Sequence, residues 1–562
     1  MINNRFHMAQ SFLPTLFEHP YEIDPKYGKS VAYFSMEYAI DNSFKIYSGG
    51  LGYLSGSHMR SAGALRQNLV GIGILWTYGY YNQTRAEDGS MAVQYLKKNY
   101  NFLEDHNIKF LIRVCNAPVW VKAYFLRPET FGTAPMFFLS TDIEENDEQS
   151  RNITRRLYDS NGLTRIAQYV LLGQGGARLF EELGVEPDIY HLNEAHGLAA
   201  AFHMLAKNGG NVDEVRKRFV FTTHTPEEAG NEKMDVNLME SFSFFDGLSM
   251  EQVRKSIDLH DNTFNFTLAA LRLSHIANGV SKLHGEVARQ MWSSYSGICP
   301  ITSITNAQNR AYWQDAELAE AFKANDKTAF DRRKRSLKKD LFRMVGEQTG
   351  HVFDQDTLTI VWARRFAAYK RPDLITGNPT CFERMLQRTN RPVQMIWAGK
   401  PYPSDYQAVE IFNRLNSLTG RYARCAVLTG YELGLSRLLK NGSDMWLNNP
   451  VVTREASGTS GMSAAMNGSV SISTNDGWIR EFEKDGENCF IIPEAKPGLS
   501  AEARDRSDRD NFYTILEEKV LPLYYDNKEG WYDVVFNSMR DISPEFDSDR
   551  MADEYYTKLY NA

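Results

Sequence analysis

Three arginines, a tyrosine and a lysine stand close together in segment 364–371, and side chains of these types suit the binding of a phosphate group. Arg365 offers a planar guanidinium that can make paired hydrogen bonds, and Lys370 offers a compact ammonium. Together the two charges would stabilise a phosphate that leaves or attacks in a transfer reaction. Arg364 and Tyr369 stand beside them. The plain alternative is a solvated basic helix face.

A second candidate lies in segment 455–468, where a glycine-rich turn precedes a helical pattern rich in Ala and Met. The backbone amides of Ser457, Gly458, Thr459 and Ser460 would point towards an anion at the start of that helix. Glu455 would accept hydrogen bonds from sugar hydroxyls. In the alternative interpretation, Glu455 caps the helix and the glycines form a plain turn.

Further candidates are a glycine cluster and two histidines. The cluster 48–53 contains Gly50, Leu51 and Gly52 and is predicted to follow a strand and begin a helix. Its amides would suit a phosphate, but it fails the dinucleotide fingerprint and equally fits a tight turn. His196 and His224 each follow a strand-like run, and we expect both to face one cleft. No third ligand stands at a helpful spacing, so no metal is expected.

Short apolar runs alternate with longer helical patterns along the chain, which predicts parallel sheets with crossover helices. The cations of segment 364–371 follow one of these runs, at the edge of a sheet where α/β proteins bind ligands. The predicted strands are Val31–Ser35, Phe110–Val114, Ile189–Leu192, Phe219–Thr222, Leu358–Trp362, Val393–Ala398, Cys425–Leu428 and Ser469–Ser473.

A chain of 562 residues exceeds what one hydrophobic core usually organises, so we expect two large α/β domains. A proline-bearing connection at 297–301 follows a predicted helical region, Leu268–Tyr295, and we place the boundary there. The expected division is an N-terminal domain of residues 1–297 and a second domain of residues 298–525. A charged helical segment, residues 526–562, is expected to pack back on the first half.

Composition excludes several classes of function. The formal net charge of −7 gives no electrostatic reason to expect a nucleic acid or an anionic membrane as partner. The five cysteines are scattered without paired spacing, which favours thiols in a reducing compartment over disulfides or zinc ligands. Residues 1–7 lack an apolar core, and no apolar run approaches about 18 residues. A cytoplasmic location is therefore expected.

The motifs, taken together, resemble the α-glucan phosphorylases, particularly the short bacterial and archaeal type. The resemblance runs from about residue 30 to the end, and it lies in segments 31–37, 47–52, 279–284, 398–400, 455–468 and 475–478. It implies a GT-B architecture, in which two Rossmann-like, doubly wound α/β domains face each other across a cleft. The first domain would hold the glucan and the second the phosphate, with retaining glucosyl transfer between them. The resemblance leaves a homodimer open.

The resemblance also implies roles for individual residues. Arg365 and Lys370 match the phosphate-binding pair of the family, and Glu455 matches the residue that binds the glucosyl 3-hydroxyl. Thr459 and Ser460 stand where loop amides meet the phosphate of the cofactor, pyridoxal phosphate (PLP). His196 and Asn306 stand where the 6-hydroxyl is held, and His224 stands in the Thr-His-Thr element of the family.

Two departures from the family pattern bear on the cofactor. Ser463 stands where the family has the lysine that forms an imine with PLP, and a hydroxyl cannot form one. Covalent PLP is therefore not expected. In segment 305–309, Asn306 is kept while the glycine and histidine of the family run are replaced.

Three functions fit this pattern. The favoured one is a glycosyltransferase without PLP that uses a nucleotide sugar, although the second glutamate of many such enzymes would stand at Ser463. The next is phosphorolysis with non-covalent PLP, and the third is an inactive glucan-binding or regulatory protein. Retention of Arg365, Lys370 and Glu455 argues against the third, because a binder has no use for a leaving-group clamp.

Overall fold

The structure analysed is a computed structural model that describes residues 17–562. The expectation about the extreme N-terminus, residues 1–7, lies outside the described residues. Within 17–562 the chain forms two large sheets, and it also forms two small antiparallel pairs, Asn82–Arg85 with Met91–Gln94 and Lys233–Asp235 with Thr263–Asn265. This mixed α/β architecture with two Rossmann-like sheets confirms the predicted fold class.

The first sheet has nine strands in the described part of the chain. Its spatial order is Ile301–Ser303, Ile276–Gly279, Phe219–Thr222, Ile189–Asn193, Val31–Phe34, Leu69–Ile74, Met136–Ser140, Ala117–Leu126 and Lys109–Val114. The first seven run parallel, and the last two are added by antiparallel pairings, Ala117–Leu126 with Met136–Ser140 and Lys109–Val114 with Ala117–Leu126. The strand predicted near Phe110 therefore exists, but it pairs in a hairpin and not in the parallel arrangement that was expected.

The second sheet has six strands within residues 17–562, and all are parallel. Its spatial order is Cys425–Leu428, Val393–Ala398, Leu358–Ala363, Met445–Asn448, Val470–Thr474 and Cys489–Ile492. Numbered along the chain, these strands lie in the order 3-2-1-4-5-6, which is the order of doubly wound nucleotide-binding folds. The strands are almost entirely buried, because helices cover both faces of a parallel sheet.

Helices connect the strands and cover the sheets. The α-helices of the first half are Gly50–Ala64, Pro128–Phe131, Glu148–Arg151, Gly162–Val170, Gly176–Glu182, Ala199–Lys207, Val212–Arg216, Val236–Ser241, Met250–Ser256, Phe266–Leu273, Lys282–Trp292 and Arg310–Trp313. Those of the second half are Ala316–Lys323, Lys327–Thr349, Pro379–Gln387, Tyr406–Thr419, Leu433–Gly442, Ser460–Ala465, Ala501–Ile515, Leu521–Asp526, Lys528–Ile542 and Ser548–Tyr555. Among the residues described, no helix is both long and apolar enough to cross a bilayer.

The region expected to be helical between Leu268 and Tyr295 is not continuous. A helix ends at Leu273, the strand Ile276–Gly279 follows, and a second helix begins at Lys282. Strand Ile301–Ser303 then pairs with Ile276–Gly279, so it belongs to the first sheet although it lies beyond residue 297. We therefore propose that the division between the halves falls after residue 303.

We propose that the return of the chain to the first half begins later than residue 526. Helix Lys528–Ile542 buries Trp531 and Val535 in the core of the second half. The last segment, from Ser548 onwards, packs on the first half, where Tyr555 and Tyr560 are fully buried. The Tyr560 hydroxyl lies 2.6 Å from Nδ1 of the buried His191. The C-terminal helical turn therefore completes the first core.

Each sheet has one point at which the order of its strands reverses. In the first sheet this point lies between Val31–Phe34 and Ile189–Asn193, and in the second between Leu358–Ala363 and Met445–Asn448. Open α/β sheets bind ligands in the crevice beyond the carboxyl ends of such strands. The candidate residues of the sequence follow these strands or their neighbours, so the fold directs them towards two crevices.

Candidate active site between the two sheets

The cations predicted to hold phosphate converge on Glu455. Lys370, in the turn Ala368–Lys370 after strand Leu358–Ala363, donates to Glu455 Oε1 at 3.1 Å and Oε2 at 2.8 Å. Arg364, which directly follows that strand, donates to Oε2 at 3.4 Å. The ammonium of Lys370 also lies 5.0 Å from the centre of the Tyr369 ring. Four of the predicted residues therefore meet in one buried cluster.

The charges of this cluster hold Glu455 ionised. Burial alone would raise the pKa of Glu455, but Lys370, Arg364 and Arg365 outweigh it and lower the pKa below its usual value. Arg365 itself is exposed, and it forms no ion pair with any carboxylate of residues 17–562. Within residues 17–562 this guanidinium therefore lacks the direct carboxylate contact that the two cations beside it have.

The loop that follows Glu455 presents backbone amides to the same place. Gly458 has a left-handed backbone, with φ at +78°, and it packs against Glu455 and Trp478. No acceptor in the described residues takes a hydrogen bond from the amides of Gly458 or Thr459, and helix Ser460–Ala465 has no side-chain cap. Ser460 accepts a hydrogen bond from the Trp446 indole at 3.3 Å. These open amides at a helix start suit an anion.

Asp476 supports this loop, although the sequence did not mark it as a site residue. Its carboxylate accepts the amide of Glu455 at 2.9 Å and the amide of Gly477 at 3.0 Å. Burial, together with the nearby charge of Glu455, raises the pKa of Asp476 to about 6 in spite of these bonds. The Ser457 hydroxyl is directed at the carbonyl of Gly458, 3.3 Å away.

The first half contributes a cavity of about 230 Å³. Three predicted residues, Leu51, His196 and His224, line it together with Glu194 and Tyr169. His196 lies in the turn that follows strand Ile189–Asn193, and its Nδ1 is buried without a hydrogen-bond partner among the described residues. Burial lowers the pKa of His196 to about 4, so its ring is neutral at physiological pH.

His224 follows the neighbouring strand and lies on the same cavity. Its Nε2 is 2.7 Å from Oδ1 of Asn193, an oxygen that can only accept, so Nε2 donates. Burial, with smaller contributions from His284 and His196, lowers the pKa of His224 to about 3. The neutral ring therefore keeps Nδ1 as an acceptor, which suits a sugar hydroxyl.

Glu194 is a cavity residue that sequence reasoning missed. Its backbone has a φ of +69°, which is costly for a residue other than glycine and often marks a functional site. The carboxylate accepts the amide of His224 and the hydroxyl of Thr225, and burial raises its pKa to about 7. The sequence indicates only His196 in this region, because a left-handed backbone leaves no signal in a single sequence.

The glycine cluster 48–53 begins helix Gly50–Ala64, with Gly50, Leu51 and Gly52 in the first turn. Glu37 Oε2 accepts the amides of Ser48 at 2.5 Å and Gly49 at 3.0 Å. A Cβ at Gly52 would lie 2.7 Å from that same oxygen, so only glycine fits there. The first amides of this turn are therefore taken by a carboxylate of the protein.

The two halves meet around these groups. Ser281 of the first half donates to the carbonyl of Ala456 at 2.6 Å, and Arg454 forms an ion pair with Glu227 at 2.7 Å. Burial raises the pKa of Tyr80. The charge of Glu37 raises this pKa further, and the charge of Arg365 lowers it. Tyr80 therefore lies near charged groups of both halves.

Asn306 and Ser463 differ from the other candidates in their surroundings. Asn306 follows strand Ile301–Ser303, and its buried Oδ1 has no hydrogen-bond partner within residues 17–562, so it is free to accept. Ser463 is fully buried in helix Ser460–Ala465, and its hydroxyl turns back to the carbonyls of Thr459 and Ser460 at 3.4 and 3.3 Å. Ser463 therefore offers its hydroxyl to its own helix.

In the described part of the chain, His, Cys, Asp and Glu side chains form no group of three that would hold a metal ion.

Comparison with known proteins agrees with this geometry. The family model described as carbohydrate phosphorylase matches residues 301–517. The chain is 32% identical to a maltodextrin phosphorylase of Thermococcus litoralis over 96% of its own length and 71% of that protein, and 30% identical to a glycogen phosphorylase of Aquifex aeolicus over 99% and 90%. It is also 45% identical to an uncharacterized protein of Methanocaldococcus jannaschii, over 95% of its own length and all of that protein.

Proposed function

Because the chain belongs to the carbohydrate phosphorylase family, we propose that it transfers a glucosyl residue between an α-glucan and a phosphate-bearing partner. The observation that carries this proposal is the cluster in which Lys370 and Arg364 hold Glu455, while no carboxylate of residues 17–562 forms an ion pair with Arg365. The cluster follows the two strands at which the order of the second sheet reverses. A phosphate at Arg365 would also meet the open amides of Gly458 and Thr459.

In the proposed reaction the protein supplies charge and orientation. Retaining transfer of this family passes through an oxocarbenium-like state, so positive charge on the sugar and negative charge on the departing phosphate grow together. Arg365 and Lys370 would stabilise the phosphate. Glu455, kept ionised by its neighbours, would accept hydrogen bonds from sugar hydroxyls, as would Nδ1 of the neutral His224.

PLP, the cofactor that the family implies, fits this site in part. Its phosphate would be held by the loop amides near Thr459 and by Arg364 and Lys370, and when bound it would supply a charged phosphate group beside the transferred sugar. Ser463 cannot anchor it, because a hydroxyl forms no imine and this one is directed at its own helix. We propose that position 463 carries no covalent bond to a cofactor.

Orthophosphate is the partner that the names of the relatives support, since they are a maltodextrin phosphorylase and a glycogen phosphorylase. A nucleotide sugar is the second candidate. Ser463 favours this candidate, because a serine at position 463 cannot hold the PLP that phosphorolysis would use by a covalent bond. Both partners present a phosphate to the same cations, so the proposed site serves either one.

A test that separates the two partners uses the purified protein, maltodextrins and an assay for glucose 1-phosphate. Release of glucose 1-phosphate from glucan and orthophosphate would establish phosphorolysis and overturn the nucleotide-sugar proposal. Thermal unfolding with UDP-, ADP- and GDP-glucose tests the converse, since a ligand at 100 times its Kd stabilises by about 2.7 kcal/mol. Glucan extended by none of these donors, with no phosphorolysis, would contradict glucosyl transfer itself.

A further inference from the structure

A small hairpin of the first half is bound to the second half. We call residues 82–94, which form this antiparallel pair of strands and its turn, the bridging hairpin. The amide of Met91 donates to Oδ1 of Asn413 at 2.8 Å, and the side-chain amide of Asn416 donates to the carbonyl of Gly89 at 2.7 Å. Both asparagines lie on one helix of the second half. The bridging hairpin therefore spans the two halves.

Gln83 is the buried polar side chain of this hairpin. It lies in the first strand with only 4% of its surface exposed. Its Nε2 donates to the carbonyl of Gly399 at 2.9 Å, and its Oε1 accepts the amide of Gly430 at 3.1 Å. Gly399 directly follows strand Val393–Ala398, and Gly430 comes two residues after strand Cys425–Leu428. One side-chain amide of the first half therefore joins two loops at the carboxyl edge of the second sheet.

Gly399 lies directly against Arg364. Its backbone has a φ of +154°, and a Cβ at this position would lie 1.9 Å from the carbonyl oxygen of Arg364, so a side chain is excluded. The amide of Arg364 donates to the carbonyl of Ala398 at 3.2 Å. The guanidinium of the same arginine donates to Glu455. The loop that Gln83 holds is therefore packed against the start of the phosphate-binding segment.

The residue Tyr81 holds the same loop from the first half. Its hydroxyl donates to the carbonyl of Pro401 at 2.7 Å, and its carbonyl accepts from Nζ of Lys400 at 2.9 Å. Together with the contact of Gln83, these bonds tie all three residues 399–401 to the first half. The position of this loop in the second half thus depends on the segment of the first half that begins the bridging hairpin.

From these contacts we propose that Gln83 is a positioning residue for the phosphate site, which fixes Gly399 from the opposite half and thereby holds Arg364 in place beside Glu455. Small displacements of a charge that faces a bound phosphate weaken its effect, so a support of this kind matters for binding. The phosphate site is then complete only while the bridging hairpin lies on the second half. This inference rests on the proposed function, in which the phosphate lies among these cations.

The first experiment uses Gln83→Met in the full chain. Methionine keeps the length of the side chain and removes both the donor to Gly399 and the acceptor for Gly430. We expect the affinity for orthophosphate, measured by calorimetry, to fall about tenfold. The KM for the phosphate-bearing partner that supports transfer should rise about tenfold, with kcat lowered less than about threefold, because the charge of Arg364 is displaced and not removed.

Two control variants separate positioning from general packing. Gln94→Met makes the same change at an exposed position of the bridging hairpin and should bind orthophosphate as the wild type does. Asn413→Ala removes the acceptor of the Met91 amide, which is a different contact of the hairpin with the second half. It should lower the free energy of unfolding and leave phosphate affinity within about twofold. Equal losses of affinity in Asn413→Ala and Gln83→Met would overturn the proposal.

A double-mutant cycle tests whether Gln83 acts through Arg364. In an Arg364→Met background, where the guanidinium is absent, Gln83→Met should change phosphate affinity by less than about twofold. A further tenfold loss in that background would overturn the proposal, since Gln83 would then act by another route. Gln83→Asn keeps the amide but shortens the side chain by one methylene, and it provides a second measurement if Gln83→Met does not fold. Unchanged affinity in either folded variant would refute the positioning role.

The two measurements also separate this inference from the proposed function. Transfer by Gln83→Met at the KM of the wild type would refute the role of Gln83 and leave the transfer reaction standing. Binding of orthophosphate requires no turnover. A protein that binds orthophosphate, loses this affinity in Gln83→Met and transfers no glucosyl residue would therefore support the positioning role and refute the reaction.

Discussion

The two glycine-rich loops of this protein have similar sequences but different electrostatic surroundings. The first glycine loop, Ser48 to Gly52, begins helix Gly50–Ala64, and the second glycine loop, Ser457 to Gly461, begins helix Ser460–Ala465. In the first, the carboxylate of Glu37 takes two amides. In the second, no described residue takes the amides of Gly458 and Thr459, and cations stand nearby.

This difference assigns the loops to different parts of a substrate. An anion at the first glycine loop would be repelled by Glu37, so neutral sugar hydroxyls suit it better. At the second glycine loop the nearby carboxylate, Glu455, is compensated by Lys370 and Arg364, and Arg365 has no anionic partner in the described residues. A phosphate suits that loop. In the sequence, both glycine loops indicated phosphate binding. Only the three-dimensional position of Glu37 shows that the first loop is less suited to an anion than the second.

The largest expected effect comes from removing a cation of the second glycine loop. We expect Lys370→Ala to lower kcat for glucosyl transfer by about 10²- to 10³-fold, because one preorganised charge facing the phosphate is lost. Arg364 still pairs with Glu455, so the variant should fold. Steady-state kinetics with circular dichroism would check both points.

Lys484→Ala is a matched control for this prediction. Lys484 also pairs with a carboxylate, Asp541, at 3.0 Å, but its side chain is 53% exposed and outside the cluster at Glu455. The Lys484→Ala variant should keep normal turnover. Near-normal turnover in Lys370→Ala would contradict the phosphate clamp and remove the main distinction between the two loops.

Much of the fold could be predicted from the sequence, because the strands of the parallel sheets are short apolar runs buried on both faces. Strands Phe219–Thr222, Val393–Ala398 and Cys425–Leu428 have the predicted ends. Strand Ile276–Gly279 was missed, because four residues that include Asn and Gly carry little strand signal next to helical neighbours. The antiparallel pairing of Lys109–Val114 depends on its partner and could not be predicted locally.

The candidate site was predictable as a set of segments but not as a set of contacts. Lys370 and Glu455 are far apart in sequence, and their ion pair requires the reversal of strand order in the second sheet. Glu194 gave no signal, because a left-handed backbone is a property of the folded chain. Sequence motifs therefore indicated the chemistry, and the fold decides which groups are free to perform it.

A smaller effect is expected when the carboxylate that binds the first glycine loop, that of Glu37, is removed. Glu37 is buried and accepts the amides of Ser48 and Gly49 and the hydroxyl of Tyr158. Glu37→Ala would leave these donors unpaired, so we expect the free energy of unfolding to fall by about 1–3 kcal/mol. Urea unfolding would measure this change.

Glu37→Gln keeps one acceptor oxygen in place and should lose less stability than Glu37→Ala. The affinity of both variants for phosphate, measured by calorimetry, should change less than their stability. A loss of phosphate affinity that exceeds the loss of stability would show that the first glycine loop also binds the anion, and the proposed contrast between the loops would then be wrong.

The smallest effect concerns the backbone of the second glycine loop. Gly458 has a φ of +78°, and a left-handed conformation costs an alanine about 1–2 kcal/mol. A Cβ there would make only ordinary contacts, 3.5 Å from Glu455 and Trp478, so backbone strain is the main consequence of Gly458→Ala. We expect the strain to shift the open amides and raise KM for phosphate about tenfold, with kcat less affected.

Gly49→Ala is the matched change in the first glycine loop. Gly49 has an extended backbone, with φ at −166°, and no atom lies within 4 Å of the position of its Cβ, so alanine is tolerated and its amide still reaches Glu37. Its KM for phosphate should stay close to that of the wild type. Equal changes in the two variants would mean that strain at either loop disturbs the cleft in general, whereas a change confined to Gly458→Ala would locate the phosphate at the second glycine loop.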